Sequence, residues 1–240
     1  MKKLTVCFLL ASLNVFAFRI DGITFDQSLD KSGYKEYKVY NDSLTKSRYK
    51  VKISNGSNEK LDMSSIVKVY PQILTVEPHS YAILKLFGDA PKELEAREYD
   101  FNLEFAPVVI PTIKKNGDKK TVAGTSSIKL APSLAMSGYG GTIDWAKSLK
   151  VKSLDLKKSS DGKGLEGDIV VENKAHSGLS LGIKMYDEYK NKLDSYAIGR
   201  IPKQSTKSIK IKVNNFEDPK EIKKVVFYTT DLGDLGEVDI

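Results

Sequence analysis

Apolar and polar residues alternate along most of the chain in short stretches, such as FRIDGITFD at 18–26, KEYKVYND at 35–42 and SIKIKV at 208–213. A period of two predicts β-strands that each bury one face. Helical periodicity is weak, and only KELEAREYD at 92–100 is predicted to form as much as a turn of helix. The pattern therefore favours an all-β protein.

The stretches fall into two sets of about seven strands, one in each half of the chain. Turn signals separate them, for example at Asn116-Gly117 and Asp161-Gly162. Two sets of this size predict two immunoglobulin-like β-sandwich domains. The strand signals stop at SGYGG (137–141), so the domains are predicted to span 18–139 and 141–240.

The first seventeen residues, MKKLTVCFLLASLNVFA, contain two lysines and an apolar run. Val15 and Ala17 lie at the positions that a signal peptidase recognises before its cleavage site. These features predict a secretory signal peptide at 1–17 that is cleaved after Ala17. The apolar run is shorter than the roughly 20 residues of a membrane span and no other run approaches that length, so no membrane insertion is expected. Cleavage would remove Cys7, the single cysteine, and the exported chain is expected to fold without disulfides.

The formal net charge of +7 falls by the two charges of Lys2 and Lys3 to +5 when the signal peptide is removed. The remaining lysines are scattered along strands and turns and form no single block. Such a surface is typical of a solvated exported domain, and lysines on strands discourage edge-to-edge pairing. Nucleic acid is therefore not an expected partner.

The sequence offers little for catalysis. His79 and His176 lie in turn-like contexts without partners at metal-ligand spacing, so no metal site is predicted. The sequence has no G-x-S-x-G motif, no glycine-rich phosphate loop after a strand, and no cysteine beyond the signal peptide. We expect neither an enzyme nor a cofactor.

Three segments in the first half resemble a known family: VYND at 39–42, VKVYPQILTVEPHSYAILKL at 67–86 and REYDFNLEFAP at 97–107. They are similar to the amino-terminal domain of the periplasmic pilus (fimbrial) chaperones of the chaperone–usher pathway, and the chain is identified as a divergent member. VENKAHSGLSL and FYTTDLGDLG in the second half resemble the family more loosely. The resemblance implies two sandwiches around a cleft, a periplasmic location and ATP-independent chaperoning of pilus-type subunits. It leaves open whether an outer-membrane usher takes part.

One strand has the properties of a donated strand. In SSIKLAPSLAMSG (126–138), which follows the basic loop IKKNGDKK, four apolar residues share one face: Ile128, Leu130, Leu134 and Met136. Pro132 confines the strand to the edge of a sheet. The resemblance implies that this row completes a pilus subunit by β-augmentation. Alternation alone leaves open that the row packs into its own domain.

The family holds the client's carboxy-terminal carboxylate with two basic residues, and this sequence departs from that pattern. The matching positions are Gly22 and Ala135. Arg19 and Lys129 are the nearest basic residues on the same strands and are the predicted carboxylate anchors. The alternative function is that of a secreted immunoglobulin-like structural or adhesive surface protein, which would have no reason to keep an apolar donor row.

Overall fold

The computed structural model describes residues 18–108, 112–116, 119–123, 131–189 and 191–239, and the predicted signal peptide lies outside them. Strands dominate the described residues, with one short helix, α1 (Trp145–Ser148), and one 3-10 turn, Pro219–Glu221. In chain order the strands are β1 (Phe18–Ile20), β2 (Tyr34–Asn41), β3 (Ser47–Asn55), β4 (Val67–Tyr70), β5 (Ile73–Val76), β6 (Ser80–Gly88), β7 (Glu98–Pro107), β8 (Thr112–Asn116), β9 (Lys119–Ala123), β10 (Ser133–Tyr139), β11 (Leu149–Lys158), β12 (Leu165–Asn173), β13 (Leu179–Tyr186), β14 (Lys192–Ile201), β15 (Ser205–Val213), β16 (Lys224–Thr229) and β17 (Gly233–Asp239).

The first sandwich packs a sheet of order β1-β2-β6-β4 against a sheet of order β10-β7-β3-β5. Alternation places one face of each strand inside: on β2, Tyr37 and Val39 are buried while Glu36 and Lys38 are exposed. The core between the sheets is aliphatic and aromatic, and Phe25, Phe101 and Phe105 are fully buried in it. Burial of the apolar side chains of this core, these rings among them, stabilises this half of the chain.

The second sandwich packs β11-β12-β15 against β14-β13-β16-β17. Its core includes Ile183, Val225 and Phe227. Tyr139, the last residue of β10, also packs into this core, with its ring 5.7 Å from that of Trp145. The predicted fold class, all-β with two immunoglobulin-like sandwiches, is confirmed.

Both sandwiches contain the same buried asparagine at the end of their second strand. The Asn41 side-chain amide donates to the carbonyls of Thr45, Val76 and Glu77 at 2.8–3.2 Å. The Asn173 amide donates to the carbonyls of Ser177, Ile201 and Pro202 at 2.9–3.5 Å. Each amide therefore joins a turn to the end of a strand in the facing sheet and satisfies carbonyls that burial would otherwise leave unpaired.

The strands differ from the predicted ones in four places. The stretch FRIDGITFD is a strand only over β1, because Gly22 and Asp26 adopt left-handed φ angles of 84° and 47° that end it. The predicted basic loop contains the hairpin β8–β9, which pairs with no other described strand. Strand β17 was not predicted. The predicted turn of helix at 92–100 does not form, and β7 begins at Glu98.

Asp30 holds the connection between the sandwiches. Its Oδ2 accepts hydrogen bonds from the backbone N–H of Leu94 at 2.7 Å and of Gly141 at 2.9 Å, and its Oδ1 accepts one from Ser28 Oγ at 2.9 Å. Burial alone would raise the pKa of Asp30, but these hydrogen bonds outweigh burial and leave its pKa below the usual range. Gly141 has a φ of 63°, and a Cβ there would lie 2.7 Å from Ala96 N, so the connection requires glycine.

We expect Asp30→Ala to lower the free energy of unfolding by about 2 kcal/mol at neutral pH, since it removes hydrogen bonds to a charged, partly exposed group. Because the pKa of Asp30 is lowered by folding, its contribution is complete above the unfolded pKa of about 3.9 and is lost as the pH falls through the folded value. Denaturant unfolding at neutral and acidic pH measures this. The difference between the wild-type protein and the variant should shrink on acidification, whereas Asp42→Ala, at an exposed ion pair with Arg19, should change stability little.

Candidate functional site

Strand β10 lies at the edge of its sheet and pairs on one side with β7, as Pro132 predicted. The side chains of its apolar row point into the sandwich. Met136 is 2% exposed and belongs to the core of the first sandwich, and Leu134 is partly buried against the same core. Met136 is therefore buried by its own domain in the free chain, and its predicted contact with a client stays a prediction.

The rest of the predicted row lies before the described part of β10. Ile128 and Leu130 fall outside the described residues, and so does Lys129, the second predicted carboxylate anchor. The row thus has one end in the core of this chain, at Met136, and continues through the half-buried Leu134 to residues of which nothing is described. For Ile128 and Leu130 the donor-strand assignment stays a prediction.

The free side of β10 is occupied at one end by residues 26–29, which we call the covering segment. Asp26 N–H donates to Ser137 O at 2.8 Å, Leu29 N–H donates to Tyr139 O at 2.8 Å, and Tyr139 N–H donates to Gln27 O at 3.0 Å. Ser28 and Tyr139 form a parallel bridge at the same place. The covering segment therefore continues the sheet along 137–139 and leaves 133–136 as the edge without a described neighbour.

The two sandwiches meet at a charged junction centred on Arg200. Its guanidinium forms ion pairs with Asp26 and, at 2.5 Å, with Glu98, which are both in the first sandwich. Asp26 is 6% exposed and also accepts hydrogen bonds from Ser180 Oγ at 2.7 Å and Ser180 N–H at 3.2 Å. A carboxylate so deeply buried is stable only because cationic and neutral donors surround it.

Glu98 makes the second half of this junction. Its Oε2 accepts from Gly178 N–H at 2.9 Å, its Oε1 lies 3.3 Å from Lys203 Nζ, and its own N–H donates to His176 O at 2.9 Å. Glu98 begins β7, the strand that pairs with β10. The junction therefore connects the second sandwich directly to the two strands at the candidate edge.

A cleft of about 400 Å³ opens on one side of the junction, between the sandwiches. Lys35 reaches across it to Asp231 at 3.2 Å, and Gln27 Nε2 donates to the same carboxylate at 2.8 Å. The cleft is lined by both domains, and its residues are Asp21, Asp26, Lys35, Leu179, Ser180, Thr229, Thr230 and Asp231. Three carboxylates and one lysine give this lining no excess of positive charge.

Arg19, the first predicted carboxylate anchor, is not among the residues that line this cleft, and its role as an anchor stays a prediction. It is opposite Tyr40 in the pairing of β1 with β2, five residues beyond Lys35, which reaches the second domain. Five residues of strand correspond to about 17 Å. The Arg19 guanidinium lies over the Tyr40 ring at 3.7 Å and 3.8 Å from Asp42, so it is already occupied on the outer face of the sheet.

Sequence reasoning missed the residues of the junction. Asp26 was placed inside a strand, and Glu98 was noted only as part of a family motif. Arg200 received no role, because Asp26 and Arg200 are 174 residues apart and no local pattern connects them. The positions that the resemblance marked, Gly22 and Ala135, carry no charge: Gly22 lies in the turn after β1, and Ala135 is exposed on β10.

Within the described ranges, no group of three or more histidine, cysteine, aspartate or glutamate residues is arranged to hold a metal ion. The helices that the structure describes include none with the length and apolar character needed to cross a bilayer.

No protein-family model matches the sequence, and no curated protein matches it. Among solved structures, the chain is similar to the CupB2 chaperone of Pseudomonas aeruginosa at 15% identity and a TM-score of 0.39, over 92% of this chain and 98% of that one. It is similar to the E. coli chaperone DraB at 11% identity and a TM-score of 0.41, over 94% of this chain and 96% of that one. It also matches a chain of the Salmonella enterica SafA pilin complex with the SafB chaperone at 10% identity and a TM-score of 0.40, over 94% and 97% of the two chains.

These are structures of the class that the sequence resembles. Likeness at this level of identity and superposition carries no argument about function. The function of this chain is therefore inferred from the edge of β10 and from the residues around it.

We expect Arg200→Met to destabilise the protein by about 2–4 kcal/mol, because it leaves the buried Asp26 and the half-buried Glu98 without their cation. Since these contacts join the sandwiches, we expect calorimetry to show one thermal transition for the wild-type protein and a broadened or divided transition for the variant. Arg97→Met is the matched control, because Arg97 pairs with Glu95, an exposed residue. A melting curve of Arg200→Met that matches wild type would contradict a stabilising role for the junction.

Proposed function

We propose that this chain is a periplasmic, ATP-independent chaperone that binds pilus- or fimbria-type subunits by donating the edge strand that contains β10. The observation that supports this most is the edge of β10 at 133–136. On the side away from β7, these residues have no described neighbour. An uncovered edge is a template for pairing with another chain, and proteins normally cover or blunt it. An edge kept open is suited to β-augmentation.

The apolar row gives the donated strand its side chains. Met136 fixes one end in the core of the chaperone, and Leu134 lies at the border of that core. In the proposal, Leu130 and Ile128 continue the row into the unfinished core of the client. Chaperone and client would then share one continuous apolar layer, with backbone hydrogen bonds between the strands.

The magnitudes fit a chaperone that needs no nucleotide. Burying two side chains of the size of leucine and isoleucine contributes roughly 3–6 kcal/mol. Each net backbone hydrogen bond adds about 0.5–1.5 kcal/mol. These contributions act against the loss of translational and rotational freedom on association, about 4–15 kcal/mol, and neither side of this balance involves a nucleotide. Neither a cofactor nor a catalytic group is part of the proposal.

In the proposal, residues 1–17 are removed and the chain acts outside the cytoplasm. There it would encounter pilus-type subunits whose sandwich lacks one strand. An outer-membrane usher as the acceptor of the loaded chaperone is a further part of the proposal, which the resemblance suggests. The partner of the donated strand itself is a protein subunit that lacks one strand of its own sandwich.

Two charge substitutions separate the donated half of the row from its anchored half. Leu130→Asp should abolish capture of client from a periplasmic extract, because an unpaired carboxylate in an apolar groove costs several kcal/mol, and it should leave the melting temperature nearly unchanged. Met136→Asp should instead lower the melting temperature strongly, since Met136 lies in the chaperone's own core. If Leu130→Asp melts as early as Met136→Asp, the row is internal throughout and the donor assignment fails.

A proline tests the backbone contribution separately. Ala135 is exposed and its N–H faces the open edge, so Ala135→Pro removes one donor to the client and no bond to β7. We expect a loss of client affinity of about tenfold, which corresponds to one net hydrogen bond of about 1.4 kcal/mol. Ala135→Ser, which keeps the N–H, is the control and should bind as wild type. Titration calorimetry with the purified client measures both, and equal binding by the proline variant would argue against backbone pairing at this edge.

A further inference from the structure

The open edge of β10 ends abruptly, and the residues at its end indicate how a bound strand would be positioned. Ser137 and Tyr139 direct backbone polar groups to the free side, where Asp26, Gln27 and Leu29 already pair with them. Every second residue of a strand directs its N–H and C=O the same way. The next residues in that series are Ala135 and Ser133, whose outward groups have no partner among the described main-chain atoms.

The covering segment is not easily displaced from its position. Leu29 is fully buried in the core of the first sandwich, and Asp26 is tied to Arg200 and Ser180 of the second. A Cβ on Gly138 would lie 3.0 Å from Gln27 O, so β10 and the covering segment approach closely there. Releasing the segment would expose both an apolar and a charged group to water.

The cations near the end of the edge are already engaged. Among the described residues that line the cleft and the junction, Lys35 pairs with Asp231, while Arg200 pairs with Asp26 and Glu98. Lys203 lies 3.3 Å from Glu98. A client carboxylate arriving at this end would have to compete with a carboxylate of the protein at each of these three cations. This arrangement favours positioning by shape over positioning by charge.

We infer that the covering segment 26–29 is a stop that sets the register and length of the client strand, in place of an ionic clamp on the client's terminal carboxylate. The inference rests on the proposed function. The ligand is an extended peptide strand that pairs with Ser133 and Ala135 and ends where Asp26 N–H takes over Ser137 O. Its terminal group contributes little to affinity, and its backbone contributes more.

Amide hydrogen exchange, followed residue by residue by NMR, tests the stop. The samples are the free protein and its purified complex with the protein that co-elutes with it from a periplasmic extract. We expect exchange at Ala135 and Ser133 to slow at least about tenfold in the complex, which corresponds to one hydrogen bond of about 1.4 kcal/mol. Exchange at Leu29 and Tyr139 should stay within about twofold of the free protein.

The experiment distinguishes failure of the stop from failure of the proposed function. Slower exchange at Ala135 together with faster exchange at Leu29 would mean that the client displaces the covering segment, which overturns the stop and leaves the donor-strand function standing. Unchanged exchange along the whole of β10 would overturn both the stop and the proposed function.

A second measurement addresses the clamp directly. The probe is a synthetic peptide that copies the terminal strand of the co-eluting protein, prepared once with a free carboxylate and once with a carboxy-terminal amide. Equal affinity within about twofold is the expected result. A tenfold or greater loss on amidation would show that a cation does hold the carboxylate, and would overturn the inference.

Discussion

The buried carboxylate of Asp26 is the constraint on which the arrangement of this protein depends. Its backbone N–H closes one end of the β10 edge, while its side chain binds Arg200 and Ser180 of the second sandwich. At 6% exposure, such a carboxylate is tolerated only with its partners in place. The position of the second domain and the extent of the open edge are therefore fixed by the same residue.

This coupling gives β10 two different halves. Residues 137–139 are held on both sides, by β7 and by the covering segment, and Tyr139 is packed in the second core. Residues 133–136 are held by β7 alone within the described chain. A strand anchored so firmly at one end can present its other end in a defined direction, and less entropy is lost on binding when the presenting strand is already ordered.

The sequence predicted the strands of both sandwiches well, because the period of two is a local property that burial imposes on each strand. It failed where the deciding contact is distant. For Met136, alternation shows that a face is apolar without showing whose core covers it. The strand that carries Arg19 was predicted to run to Asp26 but ends at Ile20, because φ angles of 84° at Gly22 and 47° at Asp26 redirect the chain.

The strand β17 and the hairpin β8–β9 escaped prediction for a different reason. The sequence of β17, GDLGEVD, contains two glycines and three acidic residues, which depress strand propensity, yet its pairing with the buried strand β16 overrides that preference. The hairpin is rich in lysine and resembles a loop in composition. In both cases the tertiary context decides, as it commonly does for strands.

The charges at the cleft also explain why a departure from the resembled family is consistent with the proposed function. A clamp for a carboxylate requires a cation that has no carboxylate partner, whereas Lys35 and Arg200 each stabilise the contact between the domains. Freeing either cation for a client would leave Asp231 or the buried Asp26 without its counter-charge, and for a buried group that costs several kcal/mol. A terminal ion pair with a client would return only about 1.5–3 kcal/mol. Replacing an ion pair between the domains by one to the client is therefore unfavourable. In this protein, recognition by backbone pairing and shape has the lower free-energy cost.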